Sequence, residues 1–406
     1  MSQIRVYITP FSSAGVYGSE REVTDYVISL GSLGVDTDSA DYQIGVFRNS
    51  SVKIVLNNRD GLFSDVGIDQ SIFIYKRADA KVRITYTEDN NLPYCGTAIC
   101  GEAILCEELT VFQGLLSDDS FLEEAGQEKA EFIVLGYESL FSRITVPFAS
   151  ISNGDLISEV IYAILNQAVI TDLMTVSLGN ILPSLDLAID SKVDLENLTG
   201  KDAIDRMLLL SNSVLKIVGT TIYVTNRDAS AALIYTFHGQ ASLEGVENII
   251  NVRNISNGKN RIFNYITWRD DSAVYQSSSS ILIHGVRKKE LDSTVISDNA
   301  KQLQVLTEIV DEFGFPKQEL ELLTPIRADV VELNLLDRVA IDYPTVYVPG
   351  EFDLPICGIA TLGDPLTATL PLALWSLQIP SSRRYKILKK SFDFKSMVAT
   401  FKLREI

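Results

Sequence analysis

The alternation of apolar and polar residues changes character twice along the chain. Over the first 150 residues the period is two. Val82, Ile84 and Tyr86 alternate with Lys81, Arg83 and Thr85, which puts one face of a strand in a core and the other toward water. Short apolar runs at 52–56, 109–115 and 131–137, bounded by Gly, Asn and Asp, read as further strands. Turn signals stand at Asn57-Asn58-Arg59-Asp60-Gly61 and at Asp89-Asn90-Asn91. The pattern predicts antiparallel sheet.

Near residue 150 the period lengthens. Ser152-Asn153-Gly154-Asp155 has the form of a capping box, and Leu156, Ile157, Val160, Ile161, Ile164, Leu165 and Ala168 follow at helical spacing. A second box, Thr199-Gly200-Lys201-Asp202, opens a helix with Ala203, Ile204, Met207 and Leu208 on one face. Val214 to Thr225 then reads as a hairpin turning at Gly219-Thr220. Beyond 231 strands return, at 249–255, 262–268, 281–286, 330–341, 384–392 and 397–404. One helix interrupts them, with Ala300, Leu303, Leu306, Thr307 and Val310 on a face and Gly314 and Pro316 to stop it. In the last strand Met397, Ala399, Phe401 and Leu403 alternate with Val398, Thr400, Lys402 and Arg404. The reading is mainly β (α+β): a β-domain over 1–150, a small α/β insert over 151–230, and a second β-domain over 231–406 with a helix-containing insertion at about 295–316.

The length of 406 residues agrees with two or three domains, and 46% hydrophobic against 22% charged residues supplies real cores. No run approaches the ~18 apolar residues of a membrane span, so a soluble chain without a membrane-spanning segment is expected. Met1 to Val6 leads straight into strand-like sequence with no signal-peptide core. The formal charge of −18 argues against a duplex-binding protein, whose phosphate contacts need a basic surface. That charge is uneven. Residues 381–406 hold eight cations (Arg383, Arg384, Lys386, Lys389, Lys390, Lys395, Lys402, Arg404) against Asp393 and Glu405, a net of +6, so the other 380 residues hold −24. Either a basic solvated face of a strand pair or a cationic edge that docks on a neighbouring copy is expected there.

Candidate chemistry is sparse. Cys95, Cys100 and Cys106 lie close in sequence, with Cys357 distant, but they lack knuckle spacing and any nearby histidine. Reduced thiols packed as small hydrophobes are expected, with no metal and no cofactor. His238 and His284 sit among apolar neighbours and read as structural. Asp36, Asp38 and Asp41 lack the turn glycine and bidentate Glu of a calcium loop. No Walker loop, Rossmann glycine triplet, H-E-x-x-H or G-x-S-x-G occurs, so no catalytic residue is assigned and the chain does not read as an enzyme.

The stretch VKIVLNNRDGLFSD, Val52 to Asp65, resembles a signature of phage tail proteins, a strand running into N-R-D-G-x-F-S in which Asp60-Gly61 turns and Phe63 folds back as an anchor. Phe112-Gln113-Gly114-Leu115-Leu116, EFIVLGYESLF from Glu131, the helix and hairpin from Asp202 to Asp228, and the strand Val246 to Val252 resemble later parts of the same proteins, in the same order. Leu333 to Ile341 resembles their L-x-x-G-D-x-V-x-V strand, with Leu336 where glycine is usual, and the ending YKILKKSFDFKSMVATFKLREI resembles their closing hairpin. The family is the central baseplate hub, or tail-tip hub, of tailed bacteriophages and related contractile injection machines.

That resemblance implies two antiparallel tube-like β-barrel domains per chain and a homotrimeric ring in the virion, made in the host cytoplasm. The ring would join a hexameric tail tube or distal-tail protein to a trimeric spike or tail-tip protein, with DNA in transit through its channel. Three copies would carry −54, a lining that repels rather than holds phosphate. The C-terminal cations would then sit at subunit or tube contacts, away from the lumen. A distal-tail or receptor-binding adaptor and a tail-associated cell-wall hydrolase are the alternatives.

Overall fold

The computed structural model describes residues 3–36, 49–64, 71–87, 108–124, 128–227, 232–239, 248–256, 262–269, 272–342 and 384–406. The architecture is mainly β, with several antiparallel sheets and a half-barrel. Its first part comprises β1 (Gln3–Thr9), β2 (Arg21–Glu22), β3 (Val27–Leu30), β4 (Leu33–Asp36), β5 (Ser51–Asn57), β6 (Lys81–Thr87), β7 (Leu109–Glu124) and β8 (Lys129–Gly136). Seven of these form one antiparallel sheet in the order β2-β1-β6-β7-β8-β5-β3. The period-two reading of β6 holds, since Val82, Ile84 and Tyr86 are all buried, with Val6 opposite Ile84 and Ile8 opposite Val82. At the end of β5, Asn58 closes the N-R-D-G turn on itself. Its carbonyl accepts from Gly61 N–H at 3.0 Å and its Oδ1 from Phe63 N–H at 2.7 Å. Gly61 has φ +75°, and Phe63 is driven into the core against the Tyr26 ring at 5.3 Å.

The middle holds α1 (Ile157–Leu165), β9 (Ile181–Leu182), α2 (Gly200–Leu210), β10 (Ser213–Val218) and β11 (Thr221–Asn226), the strands in the order β9-β11-β10. At the second box Thr199 caps α2, its Oγ1 accepting from Asp202 N–H at 3.1 Å and donating to Asp202 Oδ2 at 2.7 Å, without the reciprocal backbone bond of a full box. The first makes a turn ahead of its helix: Asp155 accepts from Ser152 N–H at 2.7 Å, while Glu159 accepts from Leu156 N–H, where α1 begins. Gly219, at φ +61°, turns the β10–β11 hairpin where the sequence places it.

The last part comprises β12 (Leu233–His238), β13 (Asn251–Ser256), β14 (Tyr265–Trp268), β15 (Val274–Gln276), α3 (Ser278–His284), β16 (Lys288–Leu291), α4 (Asn299–Phe313), β17 (Glu319–Pro325), α5 (Ala328–Val331), β18 (Arg338–Asp342), β19 (Arg384–Asp393) and β20 (Val398–Glu405). A seven-stranded sheet runs β12-β18-β19-β20-β17-β13 with β4 added to the far end of β19, so the N-terminal and C-terminal parts share hydrogen bonds. Its edge strand β12 is parallel to β18. A small sheet, β15-β14-β16, stands apart.

Two readings of local structure are corrected. The run at 281–286 is not a strand. Ser277 caps a helical turn by accepting from Ser280 N–H, and Gly285 at φ +72° ends it. The run at 330–341 is not one strand either, because α5 and a left-handed Leu336 at φ +68° occupy its first half.

The buried apolar residues form two clusters. One draws on both seven-stranded sheets, from Val6 and Phe63 to Phe237, Phe401 and Leu403, and the Tyr86 hydroxyl donates across it to Ile326 O at 3.1 Å. The other joins Phe141, Ile161 of α1 and Ile204 of α2 to Trp268, Leu306 and Phe313. Helix α4 therefore packs on the residues of the α/β part. Fully burying each such Ile, Leu or Phe contributes about 1.5–3 kcal/mol.

Candidate functional site: a charged joint and a cavity between the sheets

The C-terminal cations do not form a solvated face. Lys386 on β19 and Arg404 on β20 are each 2% exposed. Both strands lie inside the second large sheet, whose faces are covered, so a cation on the face toward α4 must enter the interior and find a carboxylate there. It is Glu312, in the last turn of α4. Its carboxylate lies 2.8 Å from Lys386 Nζ, 3.1 Å from Lys317 Nζ and 3.7 Å from Arg404 Nη1. Burial pushes the Glu312 carboxyl up, but Lys386, Lys317 and Arg404 together outweigh it and hold it at about 2. The Arg404 and Arg227 guanidiniums lie over the Phe313 ring at 4.8 and 5.5 Å. Arg227 in turn donates to Asn212 Oδ1 at 2.9 Å and accepts from Lys386 at its carbonyl. The group ties α4, the second large sheet and the end of the β10–β11 hairpin together.

The other C-terminal cations divide. Lys402 faces the fully buried Glu319 at 3.4 Å, and Lys390 donates to Leu333 O at 2.7 Å and Val331 O at 3.3 Å. Arg384 and Lys395 are exposed, and Lys389 is half-buried. Arg383 lies outside the described residues. The expected row of cations at an outer contact is thus overturned for Lys386 and Arg404, which serve the interior.

A cavity of about 290 Å³ opens where the parts of the chain meet, lined among others by Ser50, Glu138, Lys216, Val331, Leu335 and Lys390. Glu138 is buried and accepts from Ser50 N–H at 2.5 Å and from the Ser50 hydroxyl. Burial raises its pKa against the opposing effect of those hydrogen bonds. Gly136 permits the arrangement, because a Cβ there would come within 2.2 Å of Glu138 Oε1. Burial lowers the Lys390 pKa to about 8, against the attraction of Asp337. The cavity is lined by two carboxyls, Glu138 and Glu332, and two lysines, Lys216 and Lys390, and its Ser50 hydroxyl is held by Glu138.

The remaining sequence candidates are dispersed. His238 pairs its Nδ1 with Asp342 Oδ2 at 3.3 Å on neighbouring strands β12 and β18, and His284 ends α3 in another part of the chain. Cys95, Cys100, Cys106, Cys357, Asp38 and Asp41 lie outside the described residues, and Asp36 ends β4. Among the described residues no three or more His, Cys, Asp or Glu side chains gather as metal ligands, and no helix is long and apolar enough to cross a membrane. Sequence reasoning missed Glu138 and Glu312. Glu312 carries a signal: it lies seven residues after Val305 and three after Ile309, on the apolar stripe of α4.

Neither a protein-family model nor a curated protein sequence matches the chain. Solved structures do match its fold. A tail protein from Neisseria meningitidis MC58 is 11% identical with a TM-score of 0.56, over 100% of this chain and 96% of that one. The 43 kDa tail protein of prophage MuSo2 from Shewanella oneidensis is 10% identical with a TM-score of 0.51, over 99% and 97%. A chain of the lidded PdpA-VgrG complex of Francisella is 9% identical with a TM-score of 0.54, over 100% of this chain and 53% of its own length. The chain has the fold of phage tail proteins.

Proposed function

We propose that the chain is a structural, non-enzymatic subunit of a phage tail, forming the baseplate or tail-tip hub ring that joins the tail tube to a spike or tip. The observation that carries this reading is the extent of the fold match, which runs end to end along both this chain and two tail proteins. In this reading residues 1–150 and 231–406 supply the two tube-like units and 151–230 the insert. The shared core and the β4–β19 pairing would keep the two units in fixed register within a subunit. Three subunits then give six such units to face a six-fold tube. The likeness to a chain of a PdpA-VgrG complex favours a spike as one partner. The net charge of −18 suits a channel that DNA crosses without stopping.

Copy number in purified tails tests the proposal. Three chains per ring are expected in a tail reconstruction, next to the tube terminus. Six chains per ring would favour a distal-tail adaptor, and a cleared band on a peptidoglycan zymogram would favour a cell-wall hydrolase.

A further inference from the structure

With Lys386 and Arg404 turned inward, an exposed surface that is both cationic and apolar stands elsewhere, at the tip of α3. Leu282 is 87% exposed, the highest value for a large apolar side chain among the described residues, and Ile283 and Val286 are exposed at 67% and 62%. Arg287, Lys288 and Lys289 follow directly in the chain, with Glu290 the first acid after them. Such a contiguous apolar tip costs solvation free energy in an isolated subunit and marks a contact surface.

The tip is held from below. Ser280 is fully buried and donates to Gly314 O. Asn264 Nδ2 donates to Ser280 Oγ at 3.1 Å and to Gly285 O at 2.8 Å, while its Oδ1 accepts from Arg287 N–H at 2.7 Å. One buried asparagine thus fixes both ends of the α3 turn. A tip fixed in this way loses little conformational freedom on docking.

We propose that this tip docks on a second copy of this chain, the apolar side chains entering the contact and Arg287 and Lys288 facing its acidic surface. Charge complementarity selects the occupant. The chain carries −18, so a cationic collar finds opposite charge on another copy, whereas an anionic bilayer would repel most of the same subunit. The inference rests on the assembly reading above and names one contact within it.

Sedimentation velocity on the full chain across a concentration series tests it, comparing wild type, Leu282→Ser/Ile283→Ser and Arg287→Glu/Lys288→Glu. Wild type is expected to self-associate. The apolar double variant should weaken association at least tenfold at all salt concentrations. The charge-reversed variant should weaken it strongly at low salt and little at high salt. Circular dichroism controls for folding, which these exposed substitutions should leave unchanged. Association of equal strength in all three proteins would overturn the α3 contact and leave the tail reading standing. A wild type that stays monomeric at every concentration would also overturn it, while copy number in tails tests the tail reading separately. Flotation with phosphatidylcholine–phosphatidylserine vesicles that is lost in Leu282→Ser/Ile283→Ser would overturn it in favour of a membrane.

Discussion

Lys386 Nζ reaches Glu312 Oε1 across 2.8 Å in a place where neither side chain meets solvent. The pair joins a strand of the second large sheet to the helix that packs on the α/β part, and with Lys317 and Arg404 it gathers four charged groups at one joint. Removing one partner leaves the others buried and underpaired, the costly case for an internal ion pair.

Glu312→Gln should therefore destabilise the protein by about 3–5 kcal/mol, read as a lower urea midpoint. Glu312 has a folded pKa of about 2, below its value of ~4.3 in an unfolded chain. Its contribution is then fully present above the unfolded value and lost as pH falls through the interval toward 2. Wild type should lose stability steeply below about pH 4.5, and Glu312→Gln less steeply. Parallel pH profiles of the two proteins would contradict this assignment.

Glu138 should behave in the opposite sense. Its folded pKa is raised by burial, so its ionised form opposes folding above the unfolded value and the opposition fades as pH falls. Glu138→Gln keeps an acceptor for Ser50 N–H and removes the ionisation. It should be at least as stable as wild type at pH 7, with the difference shrinking toward pH 4. Denaturant titrations at three pH values measure it, and a variant markedly weaker at neutral pH would refute it.

Leu336 takes a left-handed backbone, φ +68°, at the position where the sequence reading expects glycine. A side chain there costs about 1–2 kcal/mol, which the 3% exposed Leu336 offsets by burial. Leu336→Gly loses the burial and relieves the strain, whereas Leu336→Ala loses most of the burial and keeps the strain. The alanine variant should thus be the less stable of the two by about 1 kcal/mol, a reversal of the usual order in regular structure. Thermal unfolding of both variants decides it.

These residues also show how far the sequence could be read. Strands such as β6 and β20 were legible because apolar residues occupy alternate positions on one face of each, so the physical period of two is written in residue type. Ile281-Leu282-Ile283 misled for the converse reason: the run is apolar without being buried, and Ser277 and Gly285 set its helical conformation. Lys386 and Arg404 read as surface charge because residue type carries no record of the carboxylate that meets them 74 and 92 positions away in sequence. That partnership belongs to the tertiary fold. Glu312 was nearer to being legible, as an acid on the apolar stripe of a helix. The cavity around Glu138 could not be foreseen, since it is made by segments that meet only on folding.

The N-R-D-G turn gives the most local test. Asn58 is 7% exposed and uses every polar group it has: its N–H donates to Glu128 O, its carbonyl accepts from Gly61, its Oδ1 accepts from Phe63 N–H, and its Nδ2 donates to Ser64 Oγ at 2.9 Å. The Phe63 bond matters most, because Phe63 is fully buried and its amide has no route to water. Asn58→Ala should leave that amide unsatisfied and cost about 1–3 kcal/mol. Asn58→Asp keeps the Oδ1 acceptor and loses only the donor to Ser64, whose hydroxyl can rotate to donate instead. It should cost less than the alanine change, and the two should differ by more than about 1 kcal/mol at neutral pH. Amide hydrogen exchange at Phe63 reads the same bond directly. The amide should exchange much faster in Asn58→Ala than in Asn58→Asp, and equal protection in the two variants would mean that the turn is held by the Asp60-Gly61 backbone alone.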